Sequence, residues 1–242
     1  MDDDKKYVIE HATSFIDNIP ILDINRDFLR QCTYILSSHE EDAYAGRGIH
    51  LYQDAFKPSV AYRLHRDYDW NDFFERNDLE LQKLLVTKTG VKLTKFPYGL
   101  IRYNEKIAGQ TIPYFNKRSQ TLSSYLWTNK DVNIFEVFLK IYDILKELYD
   151  NGLIYVDVKS DNFMVQNHQI NLIDFDYNYI KEVDDHKFIH IKHQVENFCF
   201  MLEWLLHDKK HLYFKDLYCV RTHEQLEEIL HEGLEKSKSL VK

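Results

Sequence analysis

Between Ile154 and Asp176 two short apolar runs, Phe163-Met164-Val165 and Ile170-Asn171-Leu172-Ile173, flank the polar segment Gln166-Asn167-His168-Gln169. This pattern predicts a strand, a turn and an antiparallel return. A hairpin comes back to the edge it left, so Asn162, before the first strand, is set beside Asp174, after the second. Asp157 lies upstream on an apolar lead-in, Ile154-Tyr155-Val156, with Lys159 between it and Asn162. Three oxygen-bearing side chains and one ammonium thus converge, and a phosphate held by Mg²⁺ asks for such a set.

The chain around this hairpin has 242 residues, 44% of them hydrophobic, enough to bury one two-lobed domain or two small ones. A formal charge of −8 argues against a nucleic-acid partner, which calls for a basic surface. No apolar run approaches a membrane span, and Met1-Asp2-Asp3-Asp4-Lys5-Lys6 does not read as a signal peptide. Cys32, Cys199 and Cys219 are scattered without metal-ligand pairing, which suits a reduced cytoplasm.

Taken in order, residues 1–30 read as an N-terminal extension packed on the main domain, with a helix from Asp23 onward. Strands are expected at Cys32–Leu36, at Ser59–Leu64 and, after the helix signals of Asp67–Thr89, at Val91–Thr94, Tyr98–Arg102 and Ile107–Ile112. Gly46 and Gly48 sit in the turn between the first strand and Ile49-His50-Leu51-Tyr52. Pro113-Tyr114-Phe115-Asn116 forms a natural boundary between an N-terminal part, residues 31–113, and a C-terminal part, residues 114–242. Asn133–Asn151 is the clearest helix: Phe135, Val137, Phe138, Ile141, Ile144, Leu145 and Leu148 share a face, and Asn151-Gly152 ends it. Further helices are expected at Thr121–Leu126, Gln194–Leu206 and Thr222–Lys236.

The segment Asp157-Val158-Lys159-Ser160-Asp161-Asn162, followed by Asp174-Phe175-Asp176, resembles the catalytic core of the protein kinase-like superfamily. The catalytic loop of that family reads H-R-D-L-x-x-x-N and its metal motif D-F-G. The resemblance spans roughly residues 31–206 and implies an α+β fold of two lobes, β-rich first and helical second. It implies an ATP- and Mg²⁺-dependent phosphotransferase that acts on Ser/Thr hydroxyls of proteins. Asp157 would take the proton of the attacking hydroxyl, Lys159 would steady the γ-phosphate, and Asn162 and Asp174 would hold Mg²⁺. Gly46 and Gly48 match part of the loop that closes over the nucleotide phosphates, and Tyr114 falls at the hinge that holds the adenine. Val60-Ala61-Tyr62-Arg63 matches the following strand except that Arg63 replaces its Lys. Arg63 then either grips the α/β-phosphates or is a strand-surface residue of a degenerate site. Glu80 falls where a helix acid pairs with that cation, with Glu75 as the second choice.

The chain departs from the pattern at Tyr155-Val156 in place of His-Arg, at Asp176 in place of Gly, at Gln194 in place of a helical Asp, and in lacking A-P-E. These departures leave two alternatives open: a catalytically silent nucleotide-binding adaptor, and a small-molecule kinase akin to aminoglycoside or choline kinases. Tyr155 is read as a structural residue.

Overall fold

The computed structural model describes residues 2–37, 49–65, 71–115, 119–206 and 217–239. The chain is a mixed α and β protein that divides into two compact units. Unit 1 comprises Met1–Thr89, Lys95–Asn116 and Phe175–Tyr177, and unit 2 comprises Gly90–Thr94, Lys117–Asp174 and Asn178–Lys242.

The elements of unit 1 are α1 (Asp3–His11), β1 (Ser14–Ile16), β2 (Ile19–Asp23), α2 (Arg26–Gln31), β3 (Thr33–Ser37), β4 (Ile49–Gln53), β5 (Val60–His65), α3 (Asn71–Val86), β6 (Gly99–Tyr103) and β7 (Lys106–Pro113). Its strands form one sheet in the order β1-β2-β6-β7-β5-β4-β3, antiparallel except for the β2–β6 pair. Successive residues of a strand face opposite sides. Along β5, Val60, Tyr62 and Leu64 enter a core with Val8, Leu22, Ile24, Tyr98 and Ile101. Arg63 and His65 take the other face, where His65 Nε2 meets Asp78 of α3 at 2.8 Å. Gln110 of β7 donates to the same carboxylate at 3.1 Å. Gly109 allows β7 to run this close to β5, since a Cβ there would stand 1.9 Å from the Arg63 carbonyl oxygen.

Residues 2–30, set apart by sequence as an extension, are built into the sheet of unit 1. Ile21, Leu22 and Asp23 pair in parallel with Leu100, Ile101 and Arg102. Arg102 fixes that register through Asp23, with Nε–Oδ1 at 2.5 Å and Nη2–Oδ2 at 2.8 Å. The helix expected from Asp23 begins instead at Arg26, because Asp23 closes β2 and the Asn25 side chain caps by accepting from Phe28 N at 2.8 Å. Val8, Ile19, Ile21 and Leu22 are all buried. Each such side chain is worth about 1.5–3 kcal/mol, so together they approach the whole stability of a domain. Deleting residues 1–24 is therefore expected to give protein without a cooperative thermal transition. A soluble truncation that melts cooperatively would contradict this placement.

The elements of unit 2 are β8 (Gln120–Thr121), α4 (Leu122–Thr128), α5 (Ile134–Asp150), β9 (Leu153–Tyr155), β10 (Phe163–Gln166), β11 (Gln169–Leu172), β12 (Ile180–Glu182), α6 (Lys187–Leu206) and α7 (His223–Ser239). The expected face of α5 is its buried face, capped by Asn133, whose side chain accepts from Phe135 N at 3.0 Å. The helix stops at Gly152, whose φ of 80° suits a residue without Cβ. Phe138 packs edge-on against Phe198 of α6 with centroids 5.2 Å apart. Gly233 lets α7 lie close on α5, because a Cβ there would come within 2.2 Å of the Phe135 ring. Val91–Thr94, expected as a strand, forms none. Its backbone is held by a side chain instead: Lys92 N and Leu93 N donate to the two Glu147 carboxylate oxygens at 3.0 and 2.7 Å.

Candidate functional site

The hairpin does the positioning. β10 and β11 pair from Phe163↔Leu172 to Gln166↔Gln169, leaving a turn of Asn167 and His168. Both turn residues are left-handed, with φ of 50° and 62°, as a tight two-residue hairpin requires. One step beyond the last pair, Ile173 N donates to the Asn162 carbonyl at 2.8 Å. Asp174 follows directly, one residue past this backbone bond. Asp174 itself has a φ of 60°. Aspartate tolerates this left-handed conformation better than most residues that carry a Cβ.

Asn162 is the hub of the lead-in. It closes a short 3₁₀ turn, Ser160–Asn162, and is 3% exposed. Its Nδ2 reaches the Asp157 carbonyl at 2.9 Å, Asp157 Oδ2 at 2.8 Å and the Tyr155 hydroxyl at 2.7 Å. Lys159 Nζ lies 2.7 Å from the same Asp157 Oδ2. Asp157 Oδ2 is thus engaged twice, while Asp157 Oδ1 and Asn162 Oδ1 have no hydrogen-bond partner among the described residues. Burial alone would lower the Lys159 pKa, but its hydrogen bond to Asp157 and the charges of Asp157, Tyr179 and Asp174 outweigh it and raise the pKa. Lys159 is therefore a fixed cation beside the carboxylate. The Tyr155 phenol is pushed well above its usual range by burial and then by the charges of Asp174 and Asp157, so it stays neutral.

The loop backbone is clamped from α6. Gln194 Nε2 donates to the Tyr155 carbonyl at 2.8 Å, and Asn197 Nδ2 donates to the Val156 carbonyl at 2.7 Å. Val156 N in turn donates to Tyr179 O at 2.9 Å. Gln194 Oε1 lies 2.6 Å from Nε2 of the buried His223. Sequence reasoning noticed Gln194 only as a departure and missed Asn197 and His223. The available signal was a Gln on the apolar face of α6, where a polar group needs a partner.

In unit 1, Arg63 is half-buried on β5, opposite Leu51 and Gln110. Glu80 is not its partner. Glu80 is exposed and pairs with Lys83 at 3.3 Å, while Asp78 is, among the described side chains of α3, the acid that faces the sheet. Two residues along a helix turn a side chain by about 200°, so Asp78 and Glu80 cannot share a face. The Glu75 side chain, Gly46 and Gly48 lie outside the described residues. Tyr114 follows β7, and its N–H donates to Ser59 O at 2.9 Å. A groove of about 620 Å³, lined by Arg26, Tyr34, His50 and Tyr52 among others, contains none of the candidate site residues.

A scan against protein-family models and a search of curated proteins both return no match to this chain. Among the described residues, no group of three or more His, Cys, Asp or Glu side chains is placed to hold a metal ion. No helix among them is long and apolar enough to cross a membrane.

Proposed function

We propose that the chain is an ATP- and Mg²⁺-dependent phosphotransferase of the protein kinase-like class, with unit 1 as its β-rich lobe and unit 2 as its helical lobe. One observation carries this reading: a single amide, Asn162, binds Asp157 through both its backbone and its carboxylate, while Lys159 reaches the same carboxylate. Phosphoryl transfer needs little covalent help from protein; it needs positioned oxygens and neutralised charge. Asp157 Oδ1 accepts the proton of the attacking hydroxyl, and Lys159 balances charge on the transferring phosphoryl group. Asn162 Oδ1 and the Asp174 carboxylate are hard oxygens of the kind Mg²⁺ takes, and a divalent cation usually completed by water and phosphate needs no third acidic side chain. When bound, that cation would neutralise the nucleotide phosphates. The resemblance also assigns Arg63, Gly46, Gly48 and Tyr114 to nucleotide binding.

The acceptor is proposed to be a Ser/Thr hydroxyl of a protein, in keeping with Lys159 two residues after Asp157. A second reading, a small hydroxylated metabolite, is favoured by the path of the chain after Asp176. Residues 180–182 pair at once with β9, Val183 N bonds to Gly152 O at 3.0 Å, and α6 begins at Lys187. That course offers little backbone on which to dock a peptide. Incubation with [γ-³²P]ATP and Mg²⁺ tests the choice, using the chain itself, a generic protein substrate and a pool of small alcohols. Label on protein is expected. Label only on small alcohols would replace the acceptor, and ATP left unconsumed in every case would overturn the enzymatic reading.

A further inference from the structure

We infer that His223, at the start of α7, is a positioning residue for the Asp157–Asn162 site and acts through hydrogen bonds relayed across the buried Tyr155 residue. The inference rests on the phosphotransferase reading for its effect on turnover, but not for the relay itself. The Tyr155 carbonyl can only accept, so Gln194 presents Nε2 to it and Oε1 to His223. His223 Nε2 must then carry the proton and donate at 2.6 Å. Tyr155 passes the constraint on at its other end, where its hydroxyl accepts from Asn162 Nδ2 at 2.7 Å. Asn162 fixes Asp157 at 2.8 Å. Gln194 and Tyr155 are 1% and 0% exposed, and His223 is 7% exposed. Water therefore offers little substitute for any lost link.

The ring of His223 is itself held by two tyrosines of α5, Tyr149 at 5.0 Å and Tyr142 at 6.2 Å between centroids, both edge-on. Burial lowers its pKa below the ordinary value, which keeps the ring neutral between those tyrosines. Helix α7 thus reaches, through Gln194, a loop nearly seventy residues earlier in the chain. A Gln side chain at 194 has no second donor for the loop if Oε1 loses its partner and the amide turns over.

The test compares His223→Phe, which keeps the ring contacts and loses the donor, with His223→Gln, which restores a donor near Nε2. In His223→Phe, kcat is expected to fall about ten- to a hundred-fold, the loss caused when reacting groups shift by up to an ångström. KM for ATP should stay within about two-fold, and His223→Gln should recover most of kcat. Equal kcat in all three proteins, with only the melting temperature lowered, would overturn the inference. Hydrogen exchange of the ligand-free proteins is read in parallel on peptides spanning 153–163 and 163–172. Faster exchange in 153–163 alone, reversed in His223→Gln, is expected; unchanged exchange there would overturn the relay. If the wild-type protein transfers no phosphate, the exchange result still judges the relay, and the fault lies with the phosphotransferase reading.

Discussion

Asp157→Asn is expected to lower phosphoryl transfer by about 10²–10⁴-fold, the usual contribution of a positioned general base. The substitution keeps size and shape, and its amide oxygen can still accept from Asn162. It removes the only proton acceptor that Asn162 and Lys159 jointly orient at 2.8 and 2.7 Å. Mg²⁺-dependent ATP affinity should change by no more than about two-fold, because the proposed metal oxygens belong to Asn162 and Asp174. Single-turnover transfer at saturating ATP measures the effect without product release. Equal rates for the two proteins would remove Asp157 from the mechanism.

Asp174→Ala is expected to abolish the Mg²⁺ dependence of ATP binding, raising Kd at least about 100-fold. A carboxylate that neutralises a divalent ion between phosphates has no substitute in an alanine methyl. Misfolding is the rival explanation, since Asp174 sits at a φ of 60°. Asp174→Gly settles it, because glycine adopts that backbone without strain. It should melt at or above the Asp174→Ala temperature and bind ATP as poorly. Isothermal titration with and without Mg²⁺ reads both variants. Retained Mg²⁺-dependent affinity in a folded Asp174→Gly protein would move the metal elsewhere.

The hairpin was legible because its information is local. Two apolar runs around Asn167-His168 leave one pairing that buries Phe163, Val165, Ile170 and Leu172 together, and that pairing brings Ile173, next to Asp174, onto the Asn162 carbonyl. Helix α5 was legible for the same reason, with seven apolar residues on one face and an amide at each end. The first two strands were not. Ile19-Pro20-Ile21-Leu22 is buried throughout, so it lacks the alternation that marks a half-exposed strand, and its partner β6 comes almost eighty residues later. Glu80 fitted a motif position, but the phase of α3 puts Asp78 against the sheet. The support behind the site was hidden by distance along the chain. Gln194 meets Tyr155 across 39 residues and His223 across 29, and neither contact leaves a local pattern.

The oxygens of Asn162 and Asp174 are proposed to bind a nucleotide through Mg²⁺. Thermal melting of the full chain with ATP, with and without Mg²⁺, tests this claim most directly. The expected result is a rise in melting temperature with ATP and Mg²⁺ together that is largely lost when EDTA is added. No rise with ATP under either condition, or a rise indifferent to Mg²⁺, would contradict the claim.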